Sequence, residues 1–142
     1  MDSDKQTIML NLAKEAFANA YVPFSNYRVG ACVEADGKLY TGCNIENASY
    51  GLSNCAERTA IFKAVSEGAR TITAVAVASP NAGSMPYPCG ACRQVVNEFA
   101  EPDTPIWITD CESVLETTLA KLLPHSFKLR RADVGRANPG NA

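Results

Sequence analysis

From Lys5 to Ala20 the apolar residues Ile8, Met9, Leu12, Ala13, Ala16, Phe17 and Ala20 recur at i, i+3 and i+4. That period predicts a helix with one buried face, stopped by Pro23. The period then drops to two: Tyr27–Ala35 reads as a strand with Val29, Ala31 and Val33 on one face. Asp36-Gly37 is a hairpin turn, and Lys38–Cys43 is the returning strand. The stretch 44–54 is small and polar, a loop with room for function. A second helix opens at Cys55 and runs to about Glu67, with Gly68 as its stop. Thr71–Ala78 is apolar on both faces and predicts a buried central strand. A loop with three prolines, Pro80 to Pro88, leads to a third helix from Cys89 to about Ala100. Ile106–Thr109 is a further strand, Val114–Thr118 a candidate fifth, and Leu119–Leu123 a short helix before Pro124. This order predicts an α/β fold, a three-layer α/β/α sandwich around a mixed, roughly five-stranded sheet.

With 142 residues, 46% of them hydrophobic and 20% charged, the chain suits one soluble domain, placed at 1–128. A basic tail, 129–142, follows; Lys128, Arg130, Arg131 and Arg136 face one acid, Asp133. No aromatic residue interleaves with these charges after Phe127, so bases would find no stacking platform there. A net charge of -2 offers nucleic acid no general attraction. No apolar run approaches the ~20 residues of a membrane span. The acidic start Met1-Asp2-Ser3-Asp4 is unlike a signal peptide, so a cytoplasmic location is expected, with the six cysteines as thiols or ligands.

Chemistry concentrates in two blocks, Cys55-Ala56-Glu57-Arg58 and Pro88-Cys89-Gly90-Ala91-Cys92. Each sits where a loop becomes a helix, and helix N-termini favour thiolate over thiol. Cys89 and Cys92 share one helical face, so two converging helices would gather three sulfurs. Three thiolates leave one position of a tetrahedral zinc open, as water activation requires. They also over-neutralise the ion. Arg58 can offset that by hydrogen-bonding two sulfurs, or can be a helix-surface ion-pair residue. Glu57, two residues after Cys55, can reach the open position as a proton shuttle without ligating. Two other readings stay open. Cys89-Gly90-Ala91-Cys92 has the form of a redox C-x-x-C, and a fourth ligand such as Cys43 or His125 would make a structural zinc module. Cys32, Cys43 and Cys111 read as packing thiols, Trp107 as core, and His125 as surface or interface.

The Cys-Ala-Glu and Pro-Cys-x-x-Cys blocks resemble the three-cysteine variant of the cytidine deaminase superfamily. The likeness covers roughly residues 12–127 and includes Tyr27-Arg28-Val29-Gly30-Ala31 and Gly42-Cys43-Asn44-Ile45-Glu46-Asn47-Ala48. It is strongest to the small homotetrameric enzymes that act on free nucleosides. The resemblance implies one zinc per chain on Cys55, Cys89 and Cys92, and Glu57 as proton shuttle. The reaction implied is hydrolytic deamination of cytidine and 2′-deoxycytidine. It assigns Asn44 and Glu46 to the ribose 3′-hydroxyl and the Ala56 backbone to the pyrimidine. Tyr50 and Phe127 would serve sites of neighbouring subunits. One position departs: Tyr27 stands where the family usually has phenylalanine. Its ring can still stack on the pyrimidine, but its hydroxyl needs a partner. The related blasticidin S deaminases are similar at that position but lack the Asn-x-Glu pair, and they supply the alternative substrate class. A base within nucleic acid is a third candidate substrate, disfavoured by the near-neutral charge.

Overall fold

The structure, a computed structural model, describes residues 2–129. The expected tail residues from 130 onward, Arg130, Arg131 and Arg136 among them, lie outside the described residues. The elements follow in the order α1 (Asp2–Phe17), β1 (Gly30–Ala35), β2 (Lys38–Cys43), α2 (Ala56–Ser66), β3 (Ile72–Ala78), α3 (Gly90–Phe99), β4 (Pro105–Thr109), β5 (Val114–Thr118) and α4 (Leu119–Leu122). The sheet runs β2-β1-β3-β4-β5. β1 pairs antiparallel with both β2 and β3, β3 is parallel to β4, and β4 is antiparallel to β5. The sheet is therefore mixed and five-stranded, with helices on both faces, and β3 is its central strand.

The two faces of β3 differ in side-chain size. Val75 and Val77 join the larger core under α2, with Ile61, Val96, Ile106 and Ile108. Ala74, Ala76 and Ala78 face α1, whose Met9, Leu10 and Ala13 are buried against them beside Trp107. Small side chains let α1 lie close to the sheet, and Gly30 completes this. A Cβ there would stand 2.0 Å from the Ala13 carbonyl oxygen. Gly42 does the same for α2: a Cβ would meet the Ala60 nitrogen at 2.6 Å and the Ala56 oxygen at 2.8 Å. That contact draws the first turn of α2 onto the end of β2.

The β1–β2 turn has positive φ at Asp36 (49°) and Gly37 (81°), the pairing a tight hairpin of this hand requires. Some boundaries differ from the periodicity. α1 ends at Phe17 rather than Ala20, because Arg28 Nη1 donates to the carbonyls of Ala18 and Ala20 (3.1 and 2.9 Å). β1 begins at Gly30 rather than Tyr27, because the Asn44 side chain bridges Tyr27 and Val29 in place of a strand partner. On α1, Leu10 is buried whereas Ile8 is half exposed. The 44–54 loop contains a short 3₁₀ turn, Tyr50–Leu52. Cys32 and Trp107 are buried and His125 is exposed, as the pattern implies, but Cys111 is exposed rather than packed.

Candidate active site

Cys55 and Cys89 occupy the N-cap positions of α2 and α3, both with extended backbone, and neither side chain makes a capping bond. Serine or aspartate would spend its side chain on the helix N–H groups. Here the sulfurs are left for other work, at the positive ends of two helix dipoles. Cys92, one turn into α3, is fully buried. The three Sγ atoms lie within 4.8 Å of one another, with Cys55–Cys89 at 3.8 Å and Cys89–Cys92 at 3.6 Å. Zinc–sulfur bonds of about 2.3 Å in tetrahedral array space the sulfurs about 3.8 Å apart, so the trio fits that ion. Among the described residues neither Cys43 nor His125, the fourth ligands considered for a closed structural site, joins the group.

Arg58 Nη2 donates to Cys55 Sγ at 3.3 Å, and its guanidinium also bonds Cys92. Hydrogen bonds from Cys92, Arg58 and Cys89 bring the Cys55 thiol down to about 5. Cys92 is driven the other way, because its thiol keeps its proton to hydrogen-bond the Cys55 sulfur and is buried beside the charges of Glu57 and Cys55. Glu57 is 3% exposed. Burial, with the charge of Cys55 added, pushes its carboxyl up to about 7.

Glu57, Cys55 and Cys89 open onto a cavity of ≈ 390 Å³, within the range of small-molecule sites. Tyr27, Asn44, Glu46 and Ala56 line the same cavity. Asn44 spends one bond from each amide atom on the chain: Oδ1 accepts from Val29 N (2.9 Å) and Nδ2 donates to Tyr27 O (2.8 Å). Each atom keeps capacity for one more bond. Glu46 accepts from the N–H groups of Phe24 and Ser25 at 3.0 and 3.1 Å and from the Ser25 hydroxyl. The Ser25 hydroxyl bond, with these two, holds the Glu46 carboxyl below its ordinary value. The Tyr27 hydroxyl finds its partner in the Ser84 carbonyl oxygen at 2.9 Å.

Two expected residues stand apart from this cavity. Tyr50, 78% exposed, borders an adjoining hollow with Phe24, Ser25, Ser53 and Glu46. Phe127, 67% exposed, is held through its carbonyl by Asn97 Nδ2 (3.1 Å) and Gln94 Nε2 (3.4 Å) of α3. Its neighbour Lys128 donates to Ala100 O at the end of α3, a favourable place for a cation. Val29 was read only as a strand residue, and the other wall residues carried no sequence signal of their own: Ser53, Asn54, Met85, Pro86 and Tyr87. The proline-rich run before Cys89 was the nearest hint.

Residues 3–107 match the family model described as the cytidine and deoxycytidylate deaminase zinc-binding region. A cytidine deaminase of Sporosarcina psychrophila is 49% identical over 129 residues, 89% of this chain and 92% of that protein. One of Halalkalibacterium halodurans is 47% identical over 87% of this chain and 94% of its own length. The crystal structure of cytidine deaminase from Burkholderia pseudomallei superposes with a TM-score of 0.79 at 43% identity, covering 85% of this chain and 98% of that one. With the three-thiol cluster at two helix starts and a glutamate beside it, these likenesses make the chain a member of the zinc-binding cytidine and deoxycytidylate deaminase family.

Proposed function

We propose that this protein deaminates cytidine and 2′-deoxycytidine to uridine and 2′-deoxyuridine, consuming one water and releasing one ammonia. The observation that carries the reading is the buried Glu57 at the three-thiol cluster. Both open onto a nucleoside-sized cavity whose wall holds Asn44 and Glu46. Cys55, Cys89 and Cys92 would hold one zinc. When bound, the ion supplies Lewis acidity that makes a water nucleophilic near neutral pH. Arg58 draws charge from the Cys55 and Cys92 sulfurs and limits how far three thiolates quench that acidity. Glu57 accepts the proton of the attacking water and passes it to N3 of the ring as C4 becomes tetrahedral. It then takes the remaining proton from the new C4 hydroxyl and passes it to the departing amine, so that ammonia leaves and the C4 carbonyl forms. Tyr27 presents its ring to the pyrimidine and the Ala56 backbone bonds its edge. Asn44, with its spare donor and acceptor, and Glu46 meet the ribose hydroxyls.

The wider reading is a homotetramer with shared sites, acting on small nucleosides in cytoplasmic pyrimidine salvage. The exposure of Tyr50 and Phe127 outside their own cavity supports the sharing. Among the described residues no helix is long and apolar enough to cross a membrane. The test is an absorbance assay of the zinc-loaded protein on cytidine, 2′-deoxycytidine, cytosine, blasticidin S and dCMP side by side. The two nucleosides should turn over fastest. Preference for blasticidin S would favour the analogue deaminases instead, and inactivity on all five would refute the reading.

A further inference from the structure

The loop from 80 to 88 forms one wall of the cavity through Met85, Pro86 and Tyr87 and ends at Cys89. Several of its hydrogen bonds are local: Ser84 N to Asn81 O, Tyr87 N to Met85 O, and Asn81 N to Ser79 Oγ. Two adjacent residues fasten its middle to the rest of the fold, while its last carbonyl, at Pro88, accepts from Arg93 Nε at 2.7 Å. Gly83 N donates to Asp110 Oδ2 at 2.8 Å, and the Ser84 carbonyl accepts from the Tyr27 hydroxyl at 2.9 Å. Gly83 has φ +83°, a conformation that glycine adopts without strain.

Asp110 is 4% exposed, in the turn between β4 and β5. Its Oδ1 accepts from Glu112 N and Ser113 N, both at 2.9 Å, which sets the turn and leaves Oδ2 aimed at Gly83. One carboxylate thus ties two loops, and the tyrosine that faces the cavity from the other side takes the next residue along.

We propose that Asp110 and the Tyr27 hydroxyl form a two-point clamp that holds the 83–87 wall in place for the substrate. Asp110 does not line the cavity and is then a positioning residue that acts through Gly83. This rests on the nucleoside reading of the cavity.

Asp110→Asn is the selective probe. The amide oxygen stays on Glu112 and Ser113, because turning the NH₂ toward them would oppose two donors instead of one. The NH₂ then confronts the Gly83 N–H, so the loop bond is lost while the turn keeps its own. Hydrogen exchange should quicken at Gly83, Ser84, Met85 and Tyr87 and stay slow at Glu112 and Ser113. The KM for cytidine should rise about fivefold, the scale of one hydrogen bond, with kcat and zinc content held. Tyr27→Phe should raise KM by a similar factor. The double variant should lose less than the product of the two, because a loop freed at one residue has less to lose at the next.

Wild-type exchange rates across 83–87 in Asp110→Asn would overturn the clamp. Faster exchange with unchanged KM would overturn its role toward substrate, as would loss of zinc together with kcat. Fully multiplicative losses in the double variant would also overturn it. A wild-type protein that exchanges as described but leaves cytidine intact would fail the functional reading, and the role toward substrate with it, while the exchange data still judge the clamp.

Discussion

Glu57 and Glu46 border the same cavity, yet their surroundings push them in opposite directions. Glu57 is buried and retains a proton up to about 7, whereas Glu46, bonded by Ser25 and Phe24, stays ionised below the usual range. Those are the states wanted in a proton carrier and in a hydroxyl acceptor. Glu46→Ala should raise the KM for cytidine by on the order of tenfold or more, the scale of a charged hydrogen bond. It should barely change the handling of free cytosine; equal losses in a side-by-side assay would show that Glu46 does not touch ribose. Asp110 gives a pH prediction. Backbone N–H groups of Ser113, Glu112 and Gly83 hold its carboxyl at about 2, below its ordinary 3.8. The stability it contributes is therefore present above 3.8 and is lost as pH falls toward 2. Thermal melts of Asp110→Asn should decline less than wild type across that window; parallel curves would contradict the assignment. At this scale Cys55, Glu57, Cys89 and Cys92 were legible because each block is contiguous and its helical spacing sets the geometry. Asp110 was not legible, because nothing local reveals that a turn carboxylate meets a loop 27 residues earlier.

Among the elements, α1 and the cysteine-bearing α2 are placed by backbone contact as much as by side chains. Gly42 admits the first turn of α2 to the end of β2, and Gly30 admits α1 to β1. Both glycines meet backbone atoms, which cannot swing aside. Gly30→Ala should therefore cost about 3 kcal/mol or more, at or above the usual overpacking range. In urea titration it should leave zinc content intact per folded molecule. Gly42→Ala presses on Ala56 O, beside Cys55, and should lower stability and zinc content together. If both variants bind zinc as wild type does, the seating of α2 on Gly42 does not matter to the site. Hydrophobic period exposed nearly every element, because each buries a definite stripe or face. The ends of α1 and β1 escaped it, because Arg28 and Asn44 satisfy that backbone from a distance with side chains that have no period.

At the scale of the whole molecule, one sheet presents two helix N-termini to a single point, and the apolar residues Tyr50, Leu52 and Phe127 lie exposed. A partner that covers such residues is the ordinary use of exposed apolar surface. In the proposed tetramer Phe127→Ala would damage a neighbour's site and Glu57→Gln its own. Co-refolding the two inactive variants should then recover part of the activity, whereas no recovery would argue for self-contained sites. The fold class was legible from the order of elements, and the assembly was suggested only by family resemblance, because a single chain's pattern does not say what meets its exposed face. The central claim, that Glu57 carries the proton in a zinc-dependent deamination, is tested most directly by ammonia release from cytidine. The comparison is between wild type and Glu57→Gln, each loaded to one zinc per chain. Wild type should release one ammonia per uridine formed, and Glu57→Gln should do so slower by on the order of 10²–10⁴-fold at equal zinc content. Equal rates, or no ammonia from the zinc-loaded wild type, would contradict it.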